Sequence, residues 1–314
     1  MTTGLRIKAG AAVAPTAHKA WVPAPEELMY IQDLYRPFGI RADEGLLKSG
    51  AGISHTDLAR LLLEHDPGTT ATAQHADLVV VAHGLPDLHP FTPVSPYVLH
   101  RLGGTGLRFA VSEQGASAPF TALRIASAFH RSGRARTTAV VIVEQSTHPA
   151  RDAALDRAGP TDSGALLVLS AEGDGEHAGL RIDAVSAVRA ANEAQATACL
   201  SRELSRYRAE GSTPRTLAVL GPHVSPGLQI PDGIAVHRVD RPGYSTGVWR
   251  ELAERHADWA GSYDQVVLCE TDALRPERAD LLALRGPRRD ERADRRAAGL
   301  PSGGCRPGSE EDPA

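Results

Sequence analysis

The sequence is poor in cysteine, and this scarcity excludes two kinds of stabilising site. Its 314 residues include only three cysteines, Cys199, Cys269 and Cys305. Their spacings match no zinc-binding pattern, and three are too few for a disulfide framework. Cys199 lies in a helix-like stretch and Cys269 in an apolar strand-like one, so we predict that both fill core space. The simplest expectation is a reducing, cytoplasmic location and no metal site.

Long apolar segments and an excess of basic residues are also missing. No run of about 18 apolar residues exists, so we expect no membrane-spanning helix. The net charge is −4 and the pI is about 6.4. These values give no electrostatic reason to expect nucleic acid or an anionic membrane as a partner. The N-terminal residues lack the long apolar core of a signal peptide, so we expect them to be part of the mature protein.

What the chain does contain is an alternation of apolar strand-like runs and helical segments, which favours an α/β fold with mostly parallel or mixed pairing. Several runs are nearly continuous Val, Leu and Ile, typical of strands covered on both faces. The predicted strands are 77–82, 107–112, 138–144, 165–170, 179–185, 216–221, 234–239 and 265–270. The predicted helices are 53–64, 96–102, 118–131, 187–208 and 246–256.

The chain is predicted to form two related halves followed by a tail. We place the first half at 1–170 and the second at 171–285. The remaining residues, 286–314, are dense in Arg, Asp, Glu, Gly and Pro, with almost no apolar side chains to offset the entropy of ordering, so we predict disorder there. The segments 36–51 and 149–160 give no clear pattern.

The most informative stretch is a tight turn of small residues between a predicted strand and a predicted helix. The strand ends near Ser112, and the turn contains Gln114, Gly115, Ala116 and Ser117. Small residues let the backbone bend sharply, and the helix N-terminus directs free N–H groups at whatever occupies the bend. This is the layout of a nucleophile elbow, although an ordinary strand-to-helix turn has the same local pattern.

The turn resembles the elbow of β-ketoacyl synthase III and its thiolase-fold relatives, in which a cysteine precedes a helix that ends in Ser-Gly. Alignment on Ser132-Gly133 puts Ala116 in the cysteine position, and alignment on Phe109 puts Gly115 there. Further on, Leu220-Gly-Pro-His223 resembles the Pro-His pair that carries the family's catalytic histidine. The turn 240–245 resembles the family's Asp-Arg-x-Gly-Asn-Thr turn. The ordered set covers residues 5–285.

The resemblance implies a thiolase-like fold, a dimer, and acyl-CoA or a phosphopantetheinyl carrier protein as substrate, with no other cofactor. It also exposes departures from the family. Neither alignment supplies a thiol, and Tyr244 replaces the catalytic asparagine. In the family the cysteine takes the acyl group, while the histidine and asparagine stabilise the enolate. Standard decarboxylative condensation is therefore not expected, and whether the chain is an enzyme stays open.

Individual residues carry a functional and a structural interpretation. His223, at a predicted strand end, is the main catalytic candidate, or else a histidine satisfied by its neighbours. Ser117 is a weaker candidate nucleophile, since a serine at a helix start is usually a cap or filler. Tyr244 either donates to a carbonyl or fills the pocket, and Gln114 lines it. His83 and His89 have poor spacing for a metal. His83-Gly84 with Ser117 also resembles, more faintly, an α/β-hydrolase.

Two functions follow from these observations. The first is a Cys-less accessory subunit of fatty-acid or polyketide-type specialised metabolism, forming a heterodimer with an active ketosynthase paralogue and acting with an acyl carrier protein. The second is an acyltransferase, acting as a homodimer, that makes an ester or amide or processes a thioester through His223 with Ser117.

Overall fold

Ten strands and nine α-helices occur in the part of the chain that the structure describes. This computed structural model describes residues 4–16, 22–49, 52–89, 91–150, 152–171, 179–207 and 215–287. The strands are β1 (Leu5–Val13), β2 (Leu78–Ala82), β3 (Leu107–Val111), β4 (Thr137–Glu144), β5 (Ser163–Ala171), β6 (Arg181–Arg189), β7 (Thr216–Leu220), β8 (Ile234–Arg238), β9 (Gln265–Asp272) and β10 (Arg275–Arg285).

Seven of the nine described helices belong to the first half of the chain and two to the second. They are α1 (Pro25–Tyr35), α2 (Glu44–Ser49), α3 (His55–His65), α4 (Pro67–Ala73), α5 (Val94–Arg101), α6 (Ala118–Arg131), α7 (Ala153–Ala158), α8 (Glu193–Ser205) and α9 (Gly247–Ser262). Two short 3-10 helices occupy 36–38 and 115–117. Among the described residues, no helix is long and apolar enough to cross a bilayer.

The strand order reveals an internal repeat. The first five strands run β3-β2-β4-β5-β1 across the sheet, and the next five run β8-β7-β9-β10-β6 in the mirrored direction. In each half the third strand pairs parallel to the second, the second pairs parallel to the fourth, and the remaining pairs are antiparallel. The two halves of the sheet are joined where Arg6 of β1 pairs with Arg181 of β6. The described chain is thus an α/β protein with two related halves.

The core is layered, and the alternation of side chains along each strand explains why. On β2, Val80 joins a central cluster with α6 and α9, while Val79 and Val81 face α3 and α5 in a separate cluster. A third cluster packs α8 against β7, β9 and β10. Helices α6 and α9 therefore lie between the two halves of the sheet, and Phe120 meets Trp249 there edge-on, with ring centroids 4.7 Å apart.

Several sequence-based expectations need correction. Strands β1 and β10 were not predicted, because β1 is rich in Ala and Gly and β10 carries Arg, Glu and Asp. The helix expected at 187–208 begins only at Glu193, since residues 187–189 belong to β6. Of the two kinds of sheet expected, mostly parallel or mixed, the structure has the mixed kind, since four of nine pairings are parallel. Of the predicted tail, all but residues 286–287 lies outside the described residues.

The contact between β1 and α9 gives a test of this layering. A Cβ added to Gly10 would overlap the backbone of Ala253, whereas one added to Gly261, in the last turn of the same helix, would meet open space. We expect Gly10→Ala to lower the free energy of unfolding by about 1–3 kcal/mol, and Gly261→Ala to raise it by about 0.5–1 kcal/mol. Urea denaturation of both variants measures this. Equal effects would mean that α9 does not pack on β1 as described.

Candidate functional site

The candidate site lies where equivalent strand ends of the two halves meet. The turn after β3 leads into α6, and the equivalent turn after β8 leads into α9. The carboxyl ends of parallel strands place such turns at one edge of a sheet. The elbow at 114–117 and the turn at 243–246 are therefore brought together, as the resemblance implies.

The side-chain position of Gly115 is already filled by other residues. Gly115 has a φ of 56°, in the left-handed region that favours glycine. A Cβ built on it would overlap the Tyr244 hydroxyl, the Asp272 carboxylate and the Arg275 guanidinium. The alignment anchored on Phe109 places Gly115 in the cysteine position, and a side chain at that position would point at Tyr244. Ala116 is also buried and packs with Tyr244 and Ala158.

The group beside Gly115 is a closed polar cluster. The Tyr244 hydroxyl donates to Asp272 Oδ1 over 2.8 Å, and the Leu274 N–H donates to the same oxygen over 2.9 Å. Arg275 donates to Asp272 Oδ2 through Nε at 3.1 Å and Nη2 at 2.9 Å. Burial raises the pKa of Tyr244, and the negative charge of Asp272 raises it further. The phenol therefore stays protonated, with its proton directed at Asp272.

A buried carboxylate from the first half holds the Tyr244 turn in place. Glu144, the last residue of β4, accepts the N–H of Tyr244 at 3.0 Å, the N–H of Ser245, and the hydroxyl of Ser245 at 2.8 Å. It also accepts the N–H of Thr161 at 2.7 Å. Burial raises the pKa of Glu144, and these hydrogen bonds oppose the rise. Donors from both halves therefore make Glu144 a clamp between them.

His223 lies close to this cluster. The backbone carbonyls of Ala158 and Gly243 and the charge of Asp272 face its imidazole, but burial is the larger influence and lowers its pKa. Its Nε2 atom is buried and has no hydrogen-bond partner among the described residues. A neutral imidazole with an unpaired nitrogen is able to accept a proton, yet no hydroxyl or thiol of the described residues is hydrogen-bonded to it.

Ser117 is engaged elsewhere. Its hydroxyl donates to Asp280 Oδ2 over 2.5 Å, and Asp280 is also bound by Arg124 at 2.8 Å and Arg189 at 3.4 Å. Asp280 is almost fully buried on β10, so its charge needs these partners. Gln114, predicted to line the pocket, is exposed and accepts a hydrogen bond from Thr121 over 2.6 Å. The arrangement gives Ser117 a structural partner and leaves it unconnected to His223.

Sequence reasoning missed the residues that fill the site. Glu144 and Asp272 each end a strand that is buried along almost its whole length, so a charged residue at the carboxyl end of a buried strand was the available signal. Arg275 and Asp280 gave no such signal, because both lie on β10, which was not predicted. No group of three or more His, Cys, Asp or Glu side chains among the described residues could hold a metal ion.

The fold is similar to that of solved acyl-condensing enzymes. One is 3-oxoacyl-(acyl carrier protein) synthase III from Pseudomonas aeruginosa, with a TM-score of 0.57 and 17% identity over 91% of this chain and 99% of that one. A tetronic acid condensing enzyme has a TM-score of 0.59 and 16% identity, over 90% and 100% of the chains. OleA of Xanthomonas campestris, as a variant, has 0.56 and 14%, over 90% and 98%.

Sequence comparison adds nothing to this likeness: no family model and no curated protein sequence matches the chain. At identities of 14–17% the structural likeness establishes the fold. The chain is a thiolase-fold protein of the type seen in β-ketoacyl synthase III, which confirms the fold predicted from the sequence.

The filled position beside Gly115 generates a substitution test with a matched control. Gly159 has nearly the same φ, 60°, but open space around its Cβ direction. Gly159→Ala should therefore show only the cost of the left-handed backbone, about 1 kcal/mol. Gly115→Ala should cost about 1–3 kcal/mol more, from overlap with the polar cluster.

Combining Gly115→Ala with Tyr244→Phe should recover part of that extra loss, because the phenol oxygen is one of the overlapping atoms. Thermal or urea unfolding of Gly115→Ala, Tyr244→Phe and the double variant gives the coupling energy, and Gly159→Ala is the fourth variant, the backbone control. Equal losses for Gly115→Ala and Gly159→Ala, with no coupling to Tyr244→Phe, would show that the space beside Gly115 is open.

A second cluster, of buried histidines, adjoins the site through the loop after β2. His55 is fully buried, and neither ring nitrogen has a hydrogen-bond partner among the described residues. Its ring lies 4.8 Å from that of His83, and its Nδ1 lies 3.8 Å from Asp87 Oδ2. Burial, followed by the charges of His83 and His89, lowers the pKa of His55 well below its usual value. Burial raises the pKa of Asp87 to about 6.

These shifts have opposite effects on stability. Below about pH 6.5 the unfolded chain protonates His55 while the folded chain does not, so this residue lowers the free energy of unfolding as pH falls. Asp87 binds its proton in the folded chain first, between about pH 6 and 4, so it raises the free energy of unfolding in that window.

We predict that His55→Phe removes the first effect and keeps the second. The variant should gain stability over the wild type by about 1 kcal/mol or more on going from pH 7.5 to pH 5. His65→Phe, at the exposed end of the same helix, is the control and should show no such gain. Urea unfolding at both pH values measures the difference. A constant offset between His55→Phe and wild type across this range would contradict the prediction.

Proposed function

We propose that this chain is a Cys-less relative of β-ketoacyl synthase III that acts as an accessory subunit to an active ketosynthase paralogue. The observation that carries the proposal is the occupied position beside Gly115. In an acyl-condensing enzyme this space holds the thiol and the acyl carbonyl that it attacks. Here it holds the Tyr244 hydroxyl, Asp272 and Arg275, so neither a nucleophile nor a thioester carbonyl has room there.

The donors of the site also support a non-catalytic role. An oxyanion is stabilised by donors directed at the place where charge develops. The Tyr244 hydroxyl, which replaces the asparagine of the family, instead donates to Asp272. His223 keeps an unpaired nitrogen, but the hydroxyl of Ser117, the one serine of the elbow, donates its hydrogen bond to Asp280. These contacts weigh against an acyltransferase that works through Ser117 and His223.

The edge of the sheet offers a place for the paralogue. Among the described residues, strand β3 pairs only with β2, and its Leu107 is about half exposed, 54%. An exposed edge strand presents unpaired backbone groups to another chain. Continuing the sheet across this edge would bring the partner's strand next to the elbow that follows β3. We infer that the paralogue docks on β3 and that the acyl carrier protein delivers its cargo to the paralogue.

The test is intact-mass analysis after incubation with a panel of acyl-CoA thioesters, alone and with a Cys-bearing ketosynthase encoded nearby. We expect no acyl adduct on this chain in either case. With the paralogue present, an adduct should form on the paralogue, and its condensation rate should rise at least about tenfold over the paralogue alone. Ser117→Ala should leave that stimulation unchanged, and Leu107→Lys should weaken it.

Acylation of the isolated chain would contradict the proposal. Acylation of the isolated chain that is lost in Ser117→Ala or His223→Ala would overturn the accessory role and establish an acyltransferase. Acylation that survives both substitutions would identify a different nucleophile and overturn both functions.

A further inference from the structure

One arginine of α9 is buried and lacks a charge partner. Arg250, in the first turn of this helix, is only 9% exposed. Its Nε atom is buried without a hydrogen-bond partner, and the guanidinium forms no ion pair in the part of the chain that the structure describes. A charged side chain taken out of water is costly unless a partner compensates it. The guanidinium of Arg250 is therefore a positive charge without a counter-ion.

The acidic side chains of α9 do not supply this counter-ion, because other cations already hold them. Glu254 pairs with Arg241 at both oxygens, through Nη1 at 2.7 Å and Nη2 at 2.6 Å. Glu251 Oε1 pairs with Arg241 Nε at 2.9 Å. Its Oε2 atom lies 2.8 Å from Arg255 Nε and 3.0 Å from His237 Nε2. Both oxygens of each carboxylate are therefore already paired.

The one other carboxylate whose charge acts on Arg250 is also occupied. Burial lowers the pKa of Arg250, the charge of Arg241 lowers it further, and the charges of Glu254, Glu144 and Glu251 oppose this. Glu144 accepts the hydrogen bonds of the clamp described above and none from Arg250. The acidic groups near Arg250 therefore act on it from a distance, and none of them is in contact with its guanidinium.

The end of the Arg250 side chain remains accessible to a ligand. The Nε atom is fully buried, whereas the terminal Nη1 and Nη2 atoms keep contact with solvent. The N–H groups of these two atoms form a planar fork, and such a fork matches the two oxygens of a carboxylate or phosphate group. An anion that approaches from solvent can therefore reach the charge that the protein leaves unpaired.

The surroundings of Arg250 favour an anion for a second reason. The N-terminus of a helix carries a partial positive charge, and Arg250 lies within the first turn of α9. The N-cap residue, Thr246, makes no side-chain capping bond, because its hydroxyl is hydrogen-bonded to that of Ser163 over 2.6 Å. The chain as a whole has a net charge of −4 and so attracts no anions in general. Anion binding would depend on this local feature.

We propose that Arg250 anchors a binding site for an oxyanion, the phosphate or carboxylate group of a small ligand, which accepts hydrogen bonds from Nη1 and Nη2. The site is built from the second half of the chain. It does not depend on the accessory role proposed above, because it involves neither the Tyr244 hydroxyl nor the edge of β3.

Calorimetric titration of the full-length chain with inorganic phosphate, and separately with acetate, at constant ionic strength tests the proposal. We expect saturable binding, and the anion that binds more tightly identifies the ligand group as a phosphate or a carboxylate. Arg250→Met keeps an apolar stem but removes the guanidinium, so it should weaken binding at least about tenfold. Arg60→Met removes an exposed arginine of α3, and thus the same charge, and should bind like the wild type.

Stability measurements separate a binding arginine from a structural one. In buffer without phosphate or acetate, Arg250→Met should resist urea at least as well as the wild type, because it removes an unpaired buried charge. The bound anion should raise the urea midpoint of the wild type and leave that of Arg250→Met unchanged. Arg250→Lys keeps the charge but loses the planar fork, so its affinity should lie between those of the wild type and Arg250→Met.

Three results would overturn the proposal. The first is a wild-type chain that binds neither anion saturably. The second is equal affinity in the wild type and in both Arg250 variants, which would place the anion elsewhere. The third is a marked loss of stability in Arg250→Met without any anion, since the guanidinium would then serve the fold itself.

Discussion

The hydrogen bond from the Tyr244 hydroxyl to Asp272 is the interaction on which the candidate site depends. It uses the only proton that the phenol has, and Arg275 together with the Leu274 N–H satisfies the remaining acceptor positions of the carboxylate. A buried carboxylate is costly unless it is fully paired. Once Asp272 is present at this strand end, its partners must be supplied locally, and they fill the space that a nucleophile's side chain would need. Gly115 is the residue that leaves this space free for them.

The surrounding contacts explain why such a cluster can persist in a fold associated with acyl chemistry. Glu144 holds the turn that carries Tyr244 through three donors, which are the backbone N–H groups of Tyr244 and Ser245 and the Ser245 hydroxyl. They therefore do not depend on which side chain occupies position 244. The starts of α6 and α9 therefore face each other whether the side chains between them catalyse a reaction or only pack. Glu144 maintains this geometry, and the few side chains between the two helix starts determine the chemistry.

Much of the fold could be predicted from the sequence, and the failures have physical causes. The continuous Val, Leu and Ile of β2 and β4 predicted buried central strands, and α6 begins and ends where it was predicted. Strand β10 was missed because its first residues carry charges, including Asp280, whose burial is compensated by Arg124 and Arg189 from other elements. Such compensation depends on contacts more than 90 residues away in sequence. The local periodicity of the sequence does not reveal such distant contacts.

The site shows the same division between local and distant information. The resemblance located Gly115, Tyr244 and His223 near one another, because strand ends in the same order along the chain lie at the same edge of the sheet. It could not reveal that Asp272 and Arg275 enter the space between them, since both lie beyond the last predicted strand, which ends at residue 270. The position of Ser117 illustrates the consequence. Its place in the elbow suggests a nucleophile, whereas the direction of its hydroxyl is decided by a carboxylate 163 residues away. A residue's place in a motif fixes its backbone, and its partners determine what it can do.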